Sequence, residues 1–396
     1  MYDLVITGGR VIDPSTEKDG VADVAITGGK IAKVGRNLAK EGARRTIDVK
    51  GKVVTPGLID LHCHVFNGFG RFSSYVPDQA GVLSGVTTAV DAGTTGASTF
   101  KSLRDFVMPY AKTRIVPFLH VVPAGLAVIP ELNREEDIQE DWALQVIEEN
   151  KGLIRGVKIR FTGPYVRTAG VKAAKRARSI ARQAKVPLMV HIGEQHEKNV
   201  PVHTRAMLPV LEAGDILTHF ATARNGGIML NAKRPYPELL EAQKRGVVLD
   251  IGHGGNNLSF DVARRLLEAG VRPFSISTDM AGGNRMVCVF GLPDTLGKFL
   301  ALGMSLPDVV RCATFNPAKA LGMEKEIGTL RPGAAADVAV FDILEGHFEF
   351  QDAEGKKLHG DQAVIPVLTV RAGEVVSADW GPRPTGWVPP RVAPCC

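Results

Sequence analysis

The stretch Pro56-Gly57-Leu58-Ile59-Asp60-Leu61-His62-Cys63-His64 carries the key to this chain. An apolar run rises from a Pro-Gly turn and ends in two histidines spaced i, i+2. In a strand, side chains alternate between faces, so both imidazoles project to one side and Cys63 to the other. Two histidines at the end of a buried strand can grip one metal ion. Taken alone, an H-x-H pair is more often a surface or core feature, so its weight depends on what the rest of the chain supplies.

Outward from that run, the sequence repeats one rhythm. From Val53 to about Gly322, apolar strand-like runs alternate with helical stretches, the pattern of βα units around a parallel sheet. The runs are Leu58–His62, Thr87–Asp91, Ile115–Leu119, Gly156–Arg160, Pro187–His191, Ile216–His219, Val247–Ile251 and Phe274–Asp279. Eight is the number that a closed α/β barrel requires. Before them stand short alternating strands broken by Gly8-Gly9 and Gly28-Gly29; after Gly328, Ala336–Phe341 and Val367–Val370 resume that character. The expected fold is α/β: a (β/α)8 TIM-like barrel over residues 55–325, inserted into a small β-sandwich domain formed by both termini. Its parts are residues 1–54 and 326–396, the latter ending in a Pro-rich tail.

Composition is that of an ordinary globular enzyme, and no run of about 18 apolar residues occurs, so no membrane span is expected. Met1-Tyr2-Asp3-Leu4-Val5-Ile6 enters a strand directly, without a basic region or cleavage site, which points to a cytoplasmic location. Five cysteines make no disulfide framework: Cys288 and Cys312 read as core thiols, and Cys395-Cys396 as part of a frayed tail. The net charge of +6 has its main source in Lys172, Lys175, Arg176, Arg178, Arg182 and Lys185, the outer face of an amphipathic helix. The preceding helix, around Glu135 to Glu149, is acidic, and consecutive barrel helices are neighbours. The two blocks are expected to answer each other, leaving no call for nucleic acid as a partner. A small-molecule substrate is the expected partner instead.

In such a barrel the active site lies at the C-terminal ends of the strands. Reading those ends gives His62 and His64, Lys158, His191, His219 and Asp279. Four imidazoles and a carboxylate suit Zn²⁺, with Mn²⁺, Co²⁺ or Ni²⁺ as alternatives. An ordinary lysine, with a pKa near ~10.4, is a cation that repels metals. A desolvated lysine beside two divalent ions would deprotonate and take up CO₂ as a bridging carbamate. A salt bridge to a neighbouring loop is the other reading of Lys158, and the residues alone leave both open. Arg160 faces the same side as Lys158 and would either hold a substrate carboxylate or neutralise the site's own anions. His253, in a Gly-flanked loop after strand seven, is a candidate substrate contact, with loop packing as the alternative. Phe66, Phe69, Phe72 and Tyr75 would form an apolar wall or simply pack under a loop. His120 ends strand three, His196 and His203 follow strand five, and His347 and His359 belong to the surface of the β domain.

These segments together resemble the amidohydrolase superfamily of metal-dependent hydrolases, near dihydroorotase and dihydropyrimidinase, and most closely its dihydroorotase-like amidohydrolase/deacetylase group. The likeness rests on Pro56–His64, Gly156–Arg160, Val190-His191-Ile192-Gly193, Gly214–His219, Asp250-Ile251-Gly252-His253-Gly254 and Ser277-Thr278-Asp279. It continues through Asn316–Gly322, Gly328–Gly333 and Ala336-Asp337, and so spans nearly the whole chain. The resemblance implies that His62, His64 and Asp279 hold the more buried of two ions, His191 and His219 the second, with carboxylated Lys158 bridging both. It implies a binuclear hydrolase in which a metal-bridging hydroxide attacks an amide or ester carbonyl of a small organic acid. Asp279 would take the proton and return it to the leaving group. Cyclic amides, N-acyl amino acids and acylated hydroxy acids all fit that chemistry. A homo-oligomer is implied as well. The alternative is a non-catalytic dihydropyrimidinase-like scaffold; such proteins have lost metal ligands, whereas this chain keeps all six positions.

Overall fold

The N-terminal runs form β1 (Tyr2–Asp13), β2 (Lys18–Thr27), β3 (Lys30–Gly35), β4 (Ala43–Asp48) and β5 (Val53–Pro56). They come from a computed structural model that describes residues 1–68, 74–194, 199–230, 233–283 and 287–378. Phe69, Phe72, His196 and the tail carrying Cys395 and Cys396 lie outside the described residues.

The barrel strands follow in order: β6 (Leu58–Cys63), β7 (Val86–Gly96), β8 (Arg114–His120), β9 (Gly156–Arg160), β10 (Leu188–His191) and β11 (Ile216–Thr218). A small ribbon, β12 (Met229–Leu230) and β13 (Arg234–Pro235), precedes β14 (Val248–Asp250). Seven strands pair in the order β14-β11-β10-β9-β8-β7-β6, every pair parallel. Their apolar runs are continuous because both faces are covered, by helices outside and by packed side chains within. Val90, Val116, Phe118, Met189, Ile216 and Val248 fill the interior together with Leu321 and Ile327 from beyond the barrel. Burying each large side chain of this kind contributes roughly 1.5–3 kcal/mol.

The eighth run departs from the expectation of a regular strand. Phe274–Asp279 closes the barrel between β14 and β6 through isolated parallel bridges, Asp250 to Ser275 and Cys63 to Met280. The reason is local. Thr278 N–H donates to the Asp60 carboxylate at 3.0 Å and Ile276 N–H to the Cys312 carbonyl at 3.1 Å, so ladder bonds are diverted. Asp279 then turns into the left-handed region, with φ 46°. The barrel is closed where its ladder is least regular.

The C-terminal part returns as β15 (Val338–Gln351), β16 (Lys357–Arg371) and β17 (Glu374–Ser377). Both ends of the chain share one eight-stranded sheet, ordered β17-β16-β15-β5-β1-β2-β3 with β4 beside β1. Leu4, Ile6, Val24 and Ile26 pack with Leu330, Val338 and Val370, so each terminus supplies part of one core.

The basic helix Val171–Ala184 meets its acidic predecessor as expected in part. Lys172 pairs with Glu135 at 2.8 Å, and Ser179 and Gln183 donate to Glu140. Arg178 and Arg182 instead turn to the next unit, where both reach Glu212 and Arg178 also meets Asp215 at 3.1 Å. Among the described residues no helix is long and apolar enough to cross a membrane.

Candidate metal centre

The strand ends gather the expected residues into one cluster. His62 and His64 leave β6 with ring centroids 5.5 Å apart; the His219 ring lies 4.9 Å from His62 and 4.2 Å from His191. Lys158 Nζ sits 3.0 Å from His62 Nε2, completely enclosed by protein. Asp279 enters from the closing segment, its Oδ1 at 3.3 Å from His62 Nε2 and 3.2 Å from His64 Nε2. Its Oδ2 lies 4.0 Å from His219 Nε2. Asp279 therefore touches both sides of the cluster.

Burial sets the charge of these groups. It pushes His62 and His191 well below the usual histidine range and His219 down to about 4, so the rings are neutral and carry lone pairs. Burial also brings Lys158 down to about 7, against the opposing pull of Asp279. The buried Nε2 atoms of His191 and His219 have no hydrogen-bond partner. Orphaned acceptors in a dry site are costly unless something electrophilic meets them. Among the described residues, His62, His64 and Asp279 form a group whose ligand atoms all lie within 4.8 Å of one another. The donor set fits divalent metal ions.

Backbone geometry reinforces this. His219 and Asp279 both adopt positive φ, 68° and 46°, which non-glycine residues rarely do and which costs of order 1–3 kcal/mol each. Such strain concentrates where function needs it. Gly252 and Gly254 make the matching room: a Cβ on Gly252 would lie 2.4 Å from Thr218 Oγ1, and one on Gly254 2.4 Å from Asp279 Oδ2. Those two glycines explain the Gly-flanked loop around His253.

His253 itself is fully buried, and both ring nitrogens are engaged within the protein. Nδ1 bonds the Gly254 carbonyl at 2.8 Å, and Nε2 lies 2.8 Å from Lys298 Nζ, which also pairs with Asp294. A substrate contact would require His253 to give up one of these bonds. Arg160 faces inward as expected, and its guanidinium bonds buried Glu131 at 3.0 Å. His120 is buried beside the same glutamate at 3.8 Å. Phe66 is buried, and Tyr75 packs partly buried against the apolar cluster that includes Val65 and Met280. His203 bonds the Arg167 carbonyl, and His347 and His359 are exposed.

Sequence reasoning missed a ring of residues behind the ligands. Asp60 accepts from Thr278 Oγ1 at 2.5 Å; Asp91 accepts from Thr94 Oγ1 at 2.8 Å; Asp250 accepts from Thr218 Oγ1 at 2.7 Å. Thr94 and Thr218 in turn touch His64 Nδ1 and His62 Nδ1. The available signal was an aspartate inside each of three apolar runs, where a charge has to be accounted for.

Residues 53–376 match the amidohydrolase family model. The chain belongs to the amidohydrolase family. It is a hydrolytic enzyme of that family, on a TIM-like barrel. A deacetylase of Agrobacterium fabrum is 34% identical over 360 residues, covering 90% of this chain and 87% of its own. A deacetylase of Enterococcus faecalis is 31% identical, covering 94% and 99%. Among solved structures, an adenine deaminase superposes with a TM-score of 0.87 at 30% identity, covering 95% and 100% of the two chains. A dihydroorotase gives 0.85 at 31%, covering 96% and 99%.

Proposed function

We propose that this amidohydrolase is a binuclear metal enzyme that removes an acyl group from the nitrogen or oxygen of a small organic acid. The observation that carries the reading is the convergence of four imidazoles, a buried lysine and Asp279 at one end of the barrel. His62, His64 and Asp279 would hold one ion, and His191 and His219 the other. Lys158, carboxylated on Nζ, would bridge them. Zinc suits this ligand set, with manganese, cobalt or nickel as alternatives. Two such ions supply an acidified water and a polarised carbonyl.

The chain's own groups do the rest. Asp279 lies between the two halves and is placed to accept the proton of the attacking water and to return it to the leaving nitrogen or oxygen. Gly254 keeps the space that its carboxylate needs. Arg160, held by Glu131, would orient the acid group of the substrate by sharing its guanidinium. Acyl transfer from a linear substrate is favoured over ring opening by the relatives. Those named deacetylase share 31–34% identity across most of both chains and those named dihydroorotase 24–25%, while the solved dihydroorotase, at 31%, keeps ring opening as the alternative.

The test is a hydrolysis panel of N-acetyl amino acids, O-acetyl hydroxy acids and cyclic amides with metal-replete protein, and Lys158→Ala as control. Turnover confined to one acyl class and lost in the variant is the expected result. Turnover of cyclic amides alone would overturn the acyl assignment. Equal turnover by the Lys158→Ala protein would overturn the bridging lysine.

A further inference from the structure

The rings of His62 and His64 are backed in the same way, although their partners come from different strands. His64 Nδ1 lies 2.8 Å from Thr94 Oγ1, which lies 2.8 Å from Asp91 Oδ2. His62 Nδ1 lies 2.7 Å from Thr218 Oγ1, which lies 2.7 Å from Asp250 Oδ2. Both aspartates are fully buried. Asp91 also accepts from the backbone N–H groups of Val65 and Thr94, and Asp250 from Ser277 Oγ. Each carboxylate is thus fixed in place as an acceptor.

A hydroxyl has one proton to give. With that proton committed to the carboxylate, each threonine oxygen must receive the Nδ1–H of its histidine. Each ring is then the Nδ1–H tautomer, with a bare lone pair on Nε2 facing Asp279. Lys158 Nζ, 3.0 Å from His62 Nε2, lies where a donor to that lone pair would sit. A carboxylate behind a ligating imidazole fixes its orientation and raises its basicity. His219 is built otherwise: its Nδ1 donates to the uncharged carbonyl of Gly252 at 2.6 Å.

Resting on the binuclear reading above, we propose that Thr94 and Thr218 are positioning residues. Each relays a buried aspartate to one histidine and so sets the affinity for the ion held by His62, His64 and Asp279, but not for the ion held by His191 and His219.

The test is metal titration of chelator-stripped protein against a competing chromophoric chelator, which needs no turnover. The wild-type protein is expected to show two binding steps. Thr94→Val and Thr218→Val should each weaken one step by about 10–100-fold and leave the other in place. Thr94→Ser and Thr218→Ser, which keep the hydroxyl, should restore it. Two unchanged steps in the valine variants would overturn the relay, and equal weakening of both would overturn its selectivity. A wild-type protein that takes up no metal would overturn the binuclear reading itself, a result distinct from either. Should a valine variant fail to fold, ¹⁵N-histidine spectra of the metal-free wild-type chain decide the matter. The two rings, identified by their shifts in the serine variants, must be Nδ1–H tautomers, and an Nε2–H tautomer at either would overturn the proposal.

Discussion

On the side of β6, the rings of His62 and His64 lean through threonine hydroxyls on buried aspartates; on the side of β11, His219 leans on the carbonyl of Gly252. The first half of the cluster carries buried carboxylates behind its ligands, while the second is held by a backbone dipole and a strained turn. The difference separates two tasks within one ligand set. Under the binuclear proposal, the first half would hold its ion the more firmly, and the second would be left to meet the substrate. Asp279 belongs to both, since its two oxygens face opposite halves.

Breaking that shared member should have the largest effect. Asp279→Asn keeps the size of the side chain and removes its basicity, so kcat should fall about 10²–10⁴-fold. Metal content by elemental analysis should stay close to that of the wild type. A normal kcat with intact metal would remove Asp279 from proton transfer.

Gly254→Ala probes the room around the same carboxylate. The added Cβ would meet Asp279 Oδ2 at 2.4 Å on a residue with φ 54°. A shift of about 1 Å in a reacting group costs on the order of 10²-fold in rate, and the backbone strain about 1–3 kcal/mol. Steady-state kinetics and urea unfolding measure the two separately. Loss of stability with unchanged kcat would mean that Asp279 tolerates displacement.

Asp60→Asn sharpens the contrast from behind the β6 half. It disturbs the bonds from Thr278 N and Oγ1 that hold the closing segment to β6. A buried donor left unsatisfied costs about 1–3 kcal/mol, to be read in the unfolding free energy. Far from both halves, Lys172→Ala removes an ion pair whose members are 60% and 44% exposed, and should leave the unfolding midpoint in urea unchanged.

Much of the site was legible because ligands recur at strand ends, and period-two alternation tells which residues share a face. His62 and His64, Lys158, His191, His219 and Asp279 could be read in that way. Thr94 and Thr218 could not, because threonine is an ordinary strand residue and its hydroxyl matters only through partners far away in sequence. Asp91 and Asp250 stood in plain sight within apolar runs, yet nothing local says which histidine each serves. The positive φ of His219 and Asp279 has no sequence signal either, beyond the glycines that make room nearby. In the fold, the run Phe274–Asp279 reads as a regular strand by its residues. Its ladder is broken by Asp60 and Cys312, which come from other parts of the chain. His253 stood out for its flanking glycines, but those serve Thr218 and Asp279, and the ring itself is held by Lys298.

The most direct test of the binuclear centre is metal content by elemental analysis together with a metal-edge anomalous map, on wild-type protein and on Lys158→Ala. The expected result is two divalent ions per chain, one against His62, His64 and Asp279 and one against His191 and His219, with density for a carboxylated Lys158 between them and loss of metal in the variant. A single ion, ions bound elsewhere, or two ions retained unchanged by Lys158→Ala would contradict it.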